Sequence, residues 1–188
     1  MRGRENFQKY SKVIKLLIRI FSILPVSLRV KMFDNSRMIT GKKGIAIRYI
    51  LLKTLSKRCG DNVSIHPNVY LFVLRNLTVG NNVSIHPMCY IDATGDIEIG
   101  NNVSIAHSTT IMSTEHIFDD LKINIKDQGV KNIKTNIGSN VWVGSGSRIL
   151  AGTNINEGSI IAAGAVVKAE VKKNSIYGGV PAKFIKER

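Results

Sequence analysis

The feature that most constrains this chain is a six-residue beat. From Ile137 to Lys172 its first positions are Ile137, Val143, Ile149, Ile155, Ile161 and Val167. Its fifth positions are Val141, Ser147, Thr153, Ser159, Ala165 and Val171, with Gly138, Gly144, Gly152, Gly158 and Gly164 between. The beat runs earlier too: Asp61-Asn62-Val63-Ser64-Ile65-His66-Pro67 is echoed at residues 81–87 and 101–105. An amphipathic helix would space its apolar residues three or four apart, so a sustained spacing of six excludes one. A short fixed period means a repeat architecture. One strand of a few residues cannot bury its apolar row alone, whereas stacked turns bury such rows against each other as a continuous core. Asparagine and glycine at the corners tolerate the positive φ of a tight turn, and branched aliphatics suit the half-buried strands. The expected fold is therefore an all-β solenoid. The phase slips at Leu71–Leu77 and again near Gly95–Ile99, which predicts insertions or bulges at corners.

From residue 113 to 132 the beat disappears, and this stretch carries Glu115, His116, Asp119, Asp120 and Asp127. A long excursion from a rigid scaffold is a usual home for function.

The first 58 residues read differently. Residues 1–60 hold fifteen Lys and Arg against Glu5 and Asp34, so +13 of the chain's net +14 belongs to them. Val13–Leu24 is an apolar run stopped by Pro25, with Lys12, Lys15, Arg19 and Ser22 on one face at helical spacing. It is too short to span a bilayer, and Lys15 and Arg19 spoil it as a signal peptide. A looser linker leads to a second amphipathic helix marked by Ile47, Ile50, Leu51, Thr54 and Leu55, with a stop at Gly60. Two readings of this extension are open: a cap on the solenoid's first turn, or a helix at residues 9–24 lying on anionic membrane. Basicity alone also allows nucleic acid, but no motif accompanies it, and none is expected as a partner. Cys59 and Cys89 form no framework, which fits a reducing, cytoplasmic setting. The three Asn-Val-Ser sequences at Asn62, Asn82 and Asn102 read as products of the repeat, not as glycan acceptors.

Four stretches carry a family resemblance: Ser113-Thr-Glu-His116, Ile137-Gly-Ser-Asn-Val-Trp-Val-Gly-Ser145, Ile161-Ala-Ala-Gly-Ala-Val-Val-Lys168 and Gly178-Gly-Val-Pro-Ala-Lys-Phe-Ile-Lys186. Over residues 59–188 the chain resembles the hexapeptide-repeat acyltransferases, in the branch of maltose and galactoside O-acetyltransferases. Its wording is nearest to enzymes of capsule and surface polysaccharide. The resemblance implies a left-handed parallel β-helix, placed here at 59–175; the residue pattern itself adds a protruding loop at 113–132, a helical extension at 1–58 and a basic tail at 176–188. It also implies a homotrimer, acetyl-CoA as donor, a sugar or glycan acceptor, and no metal.

The resemblance places the catalytic histidine at His116. Acyl transfer to a hydroxyl needs a base, and imidazole titrates in the right range. Coenzyme contacts fall, by the same resemblance, on Gly144, Ser145, Ala163, Val167 and Lys168, with Lys183 and Lys186 near the phosphates. The backbone near Ser145 is expected to hold the oxyanion. Glu115, Asp119 or Asp120 could orient the imidazole, but each reads first as part of a solvated loop face. On the acceptor side the family's asparagine and aspartate are replaced by His86 and Thr94, with Asp92 nearby, which suggests a different glycan. Trp142 is the further acceptor candidate. Two other classes stay open: a γ-type carbonic anhydrase-like metalloenzyme and a non-catalytic solenoid binding module. Against the first, His66, His86, His107 and His116 are the only histidines, and they lack that family's close pairing.

Overall fold

The structure is a computed structural model and describes residues 3–188. Short strands wind into a parallel β-solenoid of about 6 turns with three faces. The first face stacks the strands Arg58–Cys59, Leu77–Val79, Ile97–Ile99, Thr135–Ile137 and Asn154–Ile155. The second stacks Ser64–Ile65, Ser84–Ile85, Ser104–Ile105, Trp142–Val143, Ile160–Ile161 and Ser175–Gly179. The third stacks Tyr70–Phe72, Tyr90–Asp92, Thr110–Met112, Arg148–Ile149 and Val166–Val167. The first positions of the beat point inward: Ile65, Ile85, Ile105, Val143 and Ile161 are all fully buried along the second face.

Both phase slips lie at the corner from the third face to the first. Leu77 and Val79 are both buried, as are Ile97 and Ile99, so each corner holds two residues beyond the beat. One is built as a 3-10 turn at Leu74–Asn76 and the other turns through Asp96, at φ 72. At the corner from first to second face, Asn62, Asn82 and Asn102 stand at φ 56 to 57. Their amides form a ladder, Asn62 donating to Asn82 at 3.0 Å and Asn82 to Asn102 at 3.1 Å. That ladder explains the repeated Asn-Val-Ser wording.

Along the stack, backbone N–H groups of one turn donate to carbonyls of the next, as Ser64 does to Val83 and His66 to Ile85. Alternate strand residues of the first turn face away from the second, which leaves carbonyls such as those of Cys59 and Ile65 without strand partners, and an open edge of this kind must be paired or covered. Three helices cover it: α1 (Gly3–Ser22), α2 (Val26–Asn35) and α3 (Gly41–Leu55). The buried Arg48 of α3 donates through Nε to Ile65 O at 2.9 Å, and through Nη1 to Ser36 O and Ile39 O. Lys53 Nζ donates to Cys59 O at 2.6 Å and Gly60 O at 3.1 Å. Tyr49, Ile50, Leu51, Leu52 and Leu55 join the solenoid's own core. Helix α1 rests on α3, with Phe7 edge-on to Tyr49 at 5.5 Å. The linker expected after Pro25 is in fact α2; it buries only Arg29 and Phe33, too sparse an apolar pattern to announce a helix. The basic tail at 176–188 is built as strands. Ser175–Gly179 adds to the second face, and Ala182–Glu187 folds back on it as an antiparallel strand.

Candidate active site

The excursion begins where Met112 ends the third face. Thr114–His116 leaves the solenoid and pairs antiparallel with Val130–Asn132, which brings the chain back. Four bonds close its neck. The buried Ser113 hydroxyl donates to Asp92 O at 2.7 Å and accepts from Gly95 N at 2.8 Å. Ile133 N donates to Ser113 O at 2.8 Å, and Thr135 Oγ1 to Met112 O at 2.7 Å. Gly95 must lack a side chain, because a Cβ there would lie 2.1 Å from Ser113 O. His116 therefore projects from a hairpin clamped to the scaffold, and its imidazole is exposed.

Among the described residues no side chain hydrogen-bonds that imidazole. None of the three acidic candidates bonds to the ring. Glu115 pairs with Lys131 at 3.0 Å, and a strand sends neighbouring side chains to opposite sides, so it points away from His116. Asp120 Oδ1 accepts from Lys122 N at 2.8 Å, and Asp119 has no bond of its own to the ring. The loop beyond exposes Phe118, Leu121, Ile123 and Ile125.

Asp92 and Thr94 come together just below this neck. Thr94 donates to Asp92 Oδ1 from its backbone N at 3.0 Å and from its hydroxyl at 2.5 Å. Phe72, Asp92 and Met112 are aligned in one column of the third face, leading to the hairpin. His86 lies elsewhere, at the corner from second to third face. It stacks on His66 with ring centroids 4.8 Å apart and planes 8° apart. Burial, then the neighbouring His86, then Arg48 hold His66 below the usual imidazole range. Trp142 is half exposed on the outside of the second face.

The coenzyme candidates divide. Gly144, Ser145 and Ala163 occupy the same second-to-third corner on successive turns, with Gly164 N donating to Ser145 O at 2.8 Å. The Ser145 backbone N–H has no partner among the described residues. Gly144 is required by the stack itself, since a Cβ would lie 2.5 Å from Ala163 N. Val167 is turned into the core at 2% exposure, so its side chain cannot meet a coenzyme; only its backbone can. Lys168 follows at the next corner, and Lys183 and Lys186 lie exposed on the last strand. His107 stands in the corner column directly above Ser145 and Ala163, where the two turns before have Pro67 and Pro87; its carbonyl accepts from Gly146 N at 3.0 Å. The Ile-His-Pro wording of the earlier turns masked it. No group of three His, Cys, Asp or Glu residues that could hold a metal occurs among the described residues. A cavity of about 580 Å³ between α2 and the strand Tyr70–Phe72 touches none of these candidates.

This architecture can be set beside known proteins. A family described as "Bacterial transferase hexapeptide (six repeats)" matches residues 134–169. The galactoside O-acetyltransferase of Escherichia coli is 31% identical over 141 residues, 74% of this chain and 68% of that protein. The chain belongs to the hexapeptide-repeat acetyltransferases. Other members align over less: a "probable acetyltransferase" of Mycobacterium tuberculosis is 37% identical over 78 residues, 42% of this chain and only 26% of its own length. Among solved structures, a galactoside acetyltransferase in complex with coenzyme A is similar with a TM-score of 0.75 and 25% identity, covering 85% of this chain and 78% of that one.

Proposed function

We propose that this hexapeptide-repeat protein transfers an acetyl group from acetyl-CoA to a hydroxyl of a sugar or surface-glycan precursor, with His116 as general base. The observation that carries the reading is the clamped hairpin. It holds an exposed, otherwise unengaged imidazole at the edge of a rigid solenoid. His116 takes the proton of the acceptor hydroxyl as that oxygen attacks the thioester carbonyl. The oxyanion so formed accepts from the unpartnered N–H of Ser145. Collapse forms the ester and releases the thiolate of coenzyme A, which takes the proton back from the imidazolium. Gly144, Ser145 and Ala163 line the pantetheine path, Val167 contributes backbone only, and Lys168, Lys183 and Lys186 meet phosphate. Asp92 with Thr94, His86 and Trp142 face the acceptor.

His116 and the Ser145 corner lie on different edges of one prism. A cyclic homotrimer supports the chemistry by setting one protomer's hairpin against the next protomer's corner. No helix among the described residues is long and apolar enough to cross a membrane; in our reading the contact of residues 9–24 with a membrane is peripheral.

The test is release of free thiol from acetyl-CoA across a panel of nucleotide sugars, lipid-linked sugars and oligosaccharides. Acceptor-dependent release is expected with at least one class. Failure of acetyl-CoA to bind at all would remove the enzyme reading and leave a solenoid binding module.

A further inference from the structure

Helix α1 carries three rows of side chains, because residues three and four apart share a side of a helix. Phe7, Ile14, Ile18 and Phe21 pack against the core. Lys12, Lys15 and Arg19 form an exposed basic row. Between them runs a second apolar row, Val13, Leu16 and Ile20, which Ile23 prolongs just past the helix end, with exposures of 56%, 57%, 50% and 84%. Lys9 stands at its N-terminal end, exposed.

Only the first row is needed to hold α1 on α3. The second leaves four large aliphatics in water along roughly 15 Å of chain. A second copy of α1 laid against this row would bring Lys12 and Arg19 beside their own counterparts if parallel, or beside each other's if antiparallel, and both arrangements repel. An anionic surface neutralises the same charges while it buries the aliphatics. We infer that Val13, Leu16, Ile20 and Ile23, flanked by Lys9, Lys12 and Arg19, form the face on which the protein lies on anionic lipid. The inference rests on the peripheral contact proposed above and is independent of the acetyl-transfer chemistry. Cap and membrane face are then opposite sides of one helix. Removing residues 1–25 would destroy both, since Phe7, Ile14 and Phe21 would go too, so point variants are required.

The experiment is co-sedimentation of the full chain with vesicles of phosphatidylcholine, alone or mixed with phosphatidylglycerol. Thermal melting, light scattering and thiol release are followed on the same samples. The protein is expected to bind the anionic vesicles only, and less as salt rises. Leu16→Glu with Ile20→Glu should abolish binding without changing melting, oligomeric state or thiol release in solution. Lys12→Gln and Arg19→Gln should each weaken partitioning about fivefold, from about 1 kcal/mol per surface cation. The proposal is overturned if the intact chain ignores anionic vesicles, or if Leu16→Glu with Ile20→Glu leaves binding intact. It is equally overturned if that variant dissociates the oligomer, which would make the row a subunit contact. Vesicle binding without any thiol release would leave the lipid face standing and remove the acetyltransferase reading alone.

Discussion

Ser113→Ala tests whether the neck of the hairpin sets the position of His116. The hydroxyl both donates to Asp92 O and accepts from Gly95 N, inside a buried corner. Alanine fits the space but leaves the buried Gly95 N–H and the half-buried Asp92 carbonyl without this partner. A fully buried loss costs about 1–3 kcal/mol and solvent recovers part of the carbonyl's, so the variant should be destabilised by roughly 2–4 kcal/mol. For a chain of this size that lowers the melting midpoint by roughly 4–16 °C. The neck should also loosen, and a displacement on the order of 1 Å at a catalytic group costs up to about a hundredfold in rate. The assay is thiol release under acceptor saturation, paired with direct binding of acetyl-CoA. We expect kcat to fall roughly ten- to hundredfold with coenzyme affinity unchanged, because Gly144, Ser145 and Ala163 lie at another corner. Ser113→Thr, which keeps the hydroxyl, should recover part of the rate. A variant that loses stability but keeps kcat, or loses coenzyme affinity in step with kcat, would refute the idea that this serine positions the base.

Three further outcomes follow from the cap, the histidine stack and the Gly144 corner. Arg48→Ala should cost roughly 3 kcal/mol or more in urea unfolding, because Ile65, Ser36 and Ile39 lose their donor; a change under about 1 kcal/mol would show that water replaces it. Burial, then His86 and Arg48, lower the pKa of His66 in the fold, so the unfolded chain binds the proton more readily. The stability it contributes is full above the ordinary imidazole value of about 6.5 and is lost as pH falls through that value towards the lower folded one. Melting midpoints at about pH 7.5 and 5.5 should therefore diverge more in wild type than in His66→Asn, and identical pH profiles would count against this account. Gly144→Val should impair folding of the fourth and fifth turns, read as lost cooperativity in circular dichroism, since even a Cβ meets Ala163 N at 2.5 Å.

Much of this was legible in the chain because the repeat binds sequence to register. Once Ile137, Val143 and Ile149 are read as inward, the faces follow, and the two slips locate their corners without a structure. The cap was less legible. Helix α2 hides because Arg29 and Phe33 are its only buried residues, and nothing in the wording of Arg48 says that it pairs an orphaned strand edge. Of the candidate site, His116 was marked by the break in the beat and by the family resemblance, and Thr94 with Asp92 by the resemblance alone. Val167 shows where a family pattern outran the geometry: it occupies a first position of the beat, so its side chain belongs to the core. The Ser113 clamp and the place of His107 above Ser145 depend on which corner each residue reaches, a property of stacking that no short window displays.

The central claim is that His116 is the base of an acetyl transfer, and substitution of that one side chain tests it most directly. Thiol release from acetyl-CoA, measured with the best acceptor of the panel, should fall by about two to four orders of magnitude in His116→Ala. Binding of acetyl-CoA, measured on the same preparations, should be unaltered. A His116→Ala protein that binds the coenzyme and still turns over most of the acceptor would contradict the account.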